Sequence, residues 1–202
     1  MSGDNIYSAP ESDLNDGLAL ESGVMFFPTS QIKLIVLYIS TFGMYPIYWF
    51  YKNWKLQKDK FGQAVIPALR SIFYIFFTHS LFRKIEVAAD DKDIKVVWGG
   101  SSLATIFVLL TVLTNFLDVF TRNTDEIGMV DYIGLLMIFI ILWPLYVIQG
   151  VVNRVNNDPE GKLNSSYSFY NIIFIVLGIP VWLLIIIGVF NIDVSFLADP
   201  MN

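Results

Sequence analysis

The sequence predicts an all-helical integral membrane bundle, and three observations predict it. Of 202 residues, 55% are hydrophobic and 15% charged, too little polar surface to cover a soluble globule of this size. Residues 96–117, 132–153 and 163–192 contain no Asp, Glu, Lys or Arg, and each exceeds the ~20 apolar residues a straight helix needs to cross a ~30 Å hydrocarbon core. The basic residues, finally, gather between two apolar blocks instead of scattering along the chain, as the loops of a membrane protein require.

Taken in order, the chain divides into an acidic, flexible tail (residues 1–30), a helical membrane domain (31–192) and a short C-terminal tail (193–202). The first 30 residues hold Asp4, Glu11, Asp13, Asp16 and Glu21 and no Lys or Arg. An ordinary signal peptide is thereby excluded, since its positive n-region is missing. The first apolar block, residues 34–51, must then do the targeting. Gly43 and Pro46 interrupt its helical ladder, and a hairpin there, which keeps the acidic tail beside the basic residues, is favoured over a full crossing.

The second block, residues 71–82, covers about 18 Å as a helix and is flanked by Arg70, Arg83 and Lys84. Its treatment follows from charge asymmetry. Between Lys52 and Lys95 lie Lys52, Lys55, Lys58, Lys60, Arg70, Arg83, Lys84, Lys92 and Lys95, whereas the connection after the third block offers Arg122 beside Asp125, Glu126 and Asp131. The positive-inside rule places residues 52–95 in the cytoplasm, and a crossing by the second block would split that charge between both faces. The fold expected is therefore three transmembrane helices plus one or two kinked, re-entrant or interfacial segments.

The run from Ser40 to Trp54, with Gly43, Tyr45, Tyr48, Trp49, Tyr51 and then Lys52, resembles the opening segment of a family of uncharacterised bacterial inner-membrane proteins, a domain of unknown function. Pro144-Leu145-Tyr146, Asn153-Arg154-Val155-Asn156 and Ser168-Phe169-Tyr170-Asn171-Ile172 are similar to later stretches of its longer members. The resemblance implies a bacterial inner membrane and supplies no activity. Pro46-Ile47-Tyr48 with Asn53 and Pro144-Leu145-Tyr146 with Asn153 also form an internal echo, although their spacings match poorly.

Candidate chemistry is sparse. The chain has no Cys, which removes disulfides, thiolate nucleophiles and zinc–thiolate sites. One histidine, His79, cannot build a metal site or a catalytic triad by itself, and it reads as an interfacial residue. Asp90, Asp91 and Asp93 with Glu86 are interleaved with Lys92 and Lys95 and lack the glycine and terminal Glu of a calcium loop. No catalytic residue, metal site or cofactor is predicted.

Asn115, Asp118, Gln149 and Asn171 are the polar side chains at or inside the apolar blocks. Such groups hold a bundle together by interhelical hydrogen bonds or line a solute path; for Asp118 with Arg122 the alternative is an i, i+4 pair at a helix end. Gly99, Gly100, Ser101, Ser102 and Ala104 permit close helix approach or a dimer contact. Trp49, Tyr51, Lys52, Trp54, Lys55, Lys58 and Lys60 read as a headgroup belt, with rings at the interface and lysines on anionic lipid, and not as a nucleic-acid surface.

Three functions fit this inventory. The first is a non-catalytic accessory or assembly factor in the membrane, contacting anionic lipid and a protein partner or a second copy. The second is a small transporter or channel subunit built on Asn115, Asp118, Gln149 and Asn171. The weakest is an interfacial lipid-modifying enzyme, because no nucleophile is paired with a base.

Overall fold

A computed structural model describes residues 23–121 and 129–190, and every regular element among them is helical. These are α1 (Gln31–Ser40), α2 (Tyr45–Phe61), α3 (Pro67–Ile72), α4 (Tyr74–Asp90), α5 (Gly100–Thr121), α6 (Met129–Val155), a 3-10 turn (Lys162–Asn164) and α7 (Phe169–Val189). Within α5, α6 and α7, the segments Gly100–Leu117, Tyr132–Val155 and Phe169–Val189 are long and apolar enough to cross a membrane, and they are the three predicted spans. Local chemistry trims their ends. Trp98 and Gly99 both hold positive φ, which delays α5 until Gly100. Residues 163–168 stay outside α7 because Ser168 accepts a hydrogen bond from the Asn171 amide and the Asn171 side chain accepts one from the Ser168 amide, a reciprocal cap that fixes the first turn.

The first apolar block is two helices, in agreement with the hairpin reading. α1 has 10 residues, about 15 Å at 1.5 Å per residue, or half of a hydrocarbon core. Its far end lies at the middle of α7: the Trp182 indole donates to the Ile39 carbonyl at 2.9 Å, and a Cβ placed on Gly178 would stand 2.4 Å from the Ser40 carbonyl oxygen. The chain then reverses through Thr41–Met44, with Phe42 (φ 52°) and Gly43 (φ 79°) in the left-handed region. That conformation is unfavourable for a bulky residue, and the Phe42 ring is held by stacking on Trp182 at 5.2 Å. Irregular backbone packed against a neighbouring helix needs its polar groups satisfied. Here the Thr41 hydroxyl donates to Leu37 and accepts from the Tyr45 amide.

The second apolar block is likewise broken, into α3 and α4, and it is not among the segments long and apolar enough to cross a membrane. α3 runs back along α2, with Arg70 over the Trp54 ring at 4.2 Å and Tyr74 stacked on Phe50 at 5.3 Å. After a break at Phe73, α4 climbs beside α5: Tyr74 meets Phe107, His79 meets Thr105 at 3.0 Å, and Glu86 lies against Gly99 and Gly100. A Cβ on Gly100 would stand 2.7 Å from the Phe82 carbonyl oxygen, so this small residue serves close approach between α4 and α5 of one chain. Trp49, Phe50, Phe82 and Phe107, all fully buried, join α2, α4 and α5.

The ends of α2, α4 and α6 meet at one end of the bundle. The Lys92 ammonium there donates to the Val155 carbonyl at 2.6 Å, joining the ends of α4 and α6. At the opposite end the Tyr132 hydroxyl donates to the Val189 carbonyl at 2.8 Å. The tail boundary needs correction. Residues 24–30 form a strap, neither helix nor strand, packed into the core, with Val24, Phe26, Phe27 and Thr29 buried, because Val24-Met25-Phe26-Phe27-Pro28 is itself apolar.

Candidate functional site

The strap lies between α2 and α6 and has neither a helix nor a neighbouring strand to satisfy its peptide groups. Side chains do that work. Every carbonyl from Val24 to Thr29 accepts a side-chain hydrogen bond: in order, from Lys60 (3.3 Å), Gln57 (3.1 Å), Asn156 (2.8 Å), Gln149 (3.5 Å), Asn164 (2.9 Å) and Asn153 (3.0 Å). The side-chain Oδ1 of Asn156 also accepts from the amides of Met25 and Phe26, and Oδ1 of Asn53 from that of Phe27. On α2 these residues are Asn53, Gln57 and Lys60, spaced i, i+4, i+7 and hence on one helix face, and Gln149 and Asn153 on α6 are continued at the same spacing by Asn156, the first residue past its end. The echo noted around Asn53 and Asn153 thus ends in one shared task, although Pro46 opens α2 and Pro144 lies inside α6.

The predicted intramembrane polar residues do not converge. Gln149 is fully buried and accepts from the Trp49 indole at 2.5 Å while donating to Asn153 at 2.7 Å. Asn115 is exposed and donates to Thr111 on its own helix, so it holds no second helix. Asn171 is a cap residue at the start of α7. The side chain of Asp118 lies outside the described residues, as does Arg122.

The belt splits in two, with a correction for its aromatic half. Trp49 and Trp54 are fully buried, because they share the α2 face that carries Phe50 and Asn53 into the core. Neither ring reaches a headgroup interface. Lys52 lies over the rings of Phe27 and Tyr48 at 5.4 and 5.8 Å, and Lys60 is tied to the strap. Lys55 and Lys58 are exposed, and Tyr51 is half-buried. They are the part of the belt open to a membrane surface.

Beside the strap opens a cleft of about 820 Å³, bounded by α2, α4 and the start of α5. Its α4 wall is Ser80, Arg83, Lys84 and Val87, a single helical stripe that Asp91 continues just past the helix end, and Met25, Phe26 and Phe61 close the other side. The Thr105 hydroxyl donates to Ser101, which leaves the His79 Nε2 as donor to Thr105 at the cleft's edge. Among the described residues, no group of three His, Cys, Asp or Glu could hold a metal ion.

Two features carry no signal in the sequence. Lys33, in the first turn of α1, is buried and donates to Asn164 and to the Ser166 carbonyl at 2.7 Å. The turn carrying Asn164 is set by Asp158, whose carboxylate accepts from the amides of Lys162 and Leu163 at 2.8 and 2.9 Å. Nearby, the Lys162 ammonium beside Glu160 holds its carboxyl below the usual carboxylate range, through the hydrogen bond first and then through charge; fully exposed, that pair adds little to stability. No family model, curated protein or solved structure matches the chain.

Proposed function

We propose that the chain is a non-catalytic multi-pass protein of a bacterial inner membrane, an accessory or assembly factor whose basic end faces the cytoplasm and contacts anionic lipid. One observation carries the reading. The exposed cations Lys55, Lys58 and Arg83 lie in the C-terminal halves of α2 and α4, toward the end of the bundle where these helices finish. There they can meet anionic headgroups at about 1 kcal/mol each. Accessory factors also need surface for a partner, and α7, exposed along most of its length, supplies it in the membrane plane. The transporter reading has less support, since Asn115, Gln149 and Asn171 point to separate tasks.

Orientation is tested with single cysteines, which the Cys-free chain permits. Exposed positions suit the labelling: Lys58→Cys, Asp91→Cys and Glu160→Cys are expected to react with an impermeant thiol reagent from the cytoplasmic side, and Phe190→Cys from the other. Reaction of Lys58→Cys and Asp91→Cys from opposite faces would show that the second block crosses. Lipid contact is tested in reconstituted vesicles with spin-labelled lipids. The shell around the protein is expected to be enriched in phosphatidylglycerol over phosphatidylcholine, and Lys55→Gln with Lys58→Gln to reduce that enrichment. Equal shells for both lipids defeat the proposal.

A further inference from the structure

Resting on the reading of an anionic-lipid contact, we propose that the cleft beside the strap is a site for one phospholipid, whose anionic phosphate is held by Arg83 and Lys84. Among the described residues neither cation has a hydrogen bond or an ion pair. Two adjacent cations outnumber Asp91, the one carboxylate on the cleft wall, and leave the site with a positive balance that attracts an anion. A phosphate does so with charge-assisted hydrogen bonds, to which the planar guanidinium contributes two parallel donors.

The walls choose between a lipid and a soluble anion. Met25, Phe26, Phe61 and Val87 give the cleft apolar sides, and Phe61 and Val87 are exposed at 49% and 52%. A small hydrated anion gains nothing from that surface, whereas the glycerol backbone and first acyl carbons of a lipid would cover it. Depth agrees. Arg83 lies one helical turn from His79, which pairs with Thr105 in the second turn of the span that Gly100 opens, so the cations stand at the boundary of headgroup and hydrocarbon.

This site differs from the outer surface of Lys55 and Lys58, and the test separates them. The full chain, purified in mild detergent and supplied with phosphatidylglycerol, is expected to retain one lipid by native mass spectrometry, and none when given phosphatidylcholine at the same concentration. Arg83→Gln with Lys84→Gln is expected to weaken retention at least about tenfold. Lys55→Gln with Lys58→Gln should leave the retained lipid in place while lowering the vesicle-shell enrichment. A charge-conserving pair, Arg83→Lys with Lys84→Arg, should restore retention and so exclude misfolding as the cause of loss. Val87→Trp, which fills the cleft from its apolar side without touching charge, should expel the lipid too. The proposal is overturned if the Arg83 and Lys84 double variant or Val87→Trp retains lipid like the parent, or if phosphatidylcholine is held equally. Displacement of the lipid by millimolar inorganic phosphate would assign the site to a soluble anion and overturn it as well. Loss of shell enrichment with retention intact would remove the surface contact alone.

Discussion

Gly178→Ala is expected to destabilise the protein, and Gly134→Ala, on the neighbouring long helix, to leave it unchanged or more stable. The contrast comes from what a single methyl group meets. At Gly178 it would stand 2.4 Å from the Ser40 carbonyl oxygen and 3.1 Å from the Ser40 carbonyl carbon and Cα. All are backbone atoms that no rotamer change can move aside. α1 and α7 would have to separate, yet the Trp182 bond to Ile39 and the Phe42–Trp182 stack hold the tip in place. Overpacking of this kind costs about 1–3 kcal/mol, which for a chain of this size lowers the midpoint by roughly 2–4 °C per kcal/mol. A methyl on Gly134 meets nothing within 4 Å, and Ala is the better helix former by about 1 kcal/mol. Thermal unfolding in detergent, followed for both variants, reads the result. A Gly178→Ala protein as stable as its parent would mean that α1 does not press its tip against the middle of α7.

That close approach shows what a sequence carries and what it omits. The three spans were legible because an apolar helix of about 20 residues without a charged side chain has no polar face to turn toward water and matches the thickness of a bilayer. The reversal at Gly43–Pro46 was legible because both residues oppose a continuous helix. Gly178 was not. A glycine in an apolar helix announces a possible contact, and its partner, the carbonyl of Ser40, lies 138 residues away in a helix that sequence alone could not place.

The lysine and tryptophan run teaches a different lesson. Read along the chain, Trp49, Tyr51, Lys52, Trp54 and Lys55 alternate like an interfacial belt. Read at 100° per residue, Lys52, Lys55 and Lys58 share one face of α2, and Trp49, Asn53, Leu56 and Lys60 the other. The helical projection therefore already held the burial of Trp49 and the inward turn of Lys60. It held the stripes Asn53–Gln57–Lys60 and Gln149–Asn153–Asn156 as well, but not the strap that joins them, because a short apolar segment that is neither helix nor strand has no period to read.

Asn156→Leu is expected to free that strap. The substitution keeps the volume close to native and removes three hydrogen bonds, to the amides of Met25 and Phe26 and the carbonyl of Phe26. A buried polar group left without a partner costs about 1–3 kcal/mol, and Phe26 is only 2% exposed. The strap can escape this cost by leaving its groove for water, where its peptide groups are solvated, at the expense of the burial of Val24, Phe26 and Phe27. Departure also breaks the bonds that Asn53, Gln57 and Lys60 make from the opposite side. The two stripes should then be coupled. Asn53→Leu and Asn156→Leu together are expected to destabilise by less than the sum of the single effects, since the second substitution acts on a strap already released. A cysteine at Phe26 reports the event directly: an impermeant thiol reagent should leave it unlabelled in the parent and label it in the Asn156→Leu background. Protection that persists there, with additive losses in the double variant, would mean that apolar packing alone keeps the strap seated and that the amide stripes serve only to satisfy it.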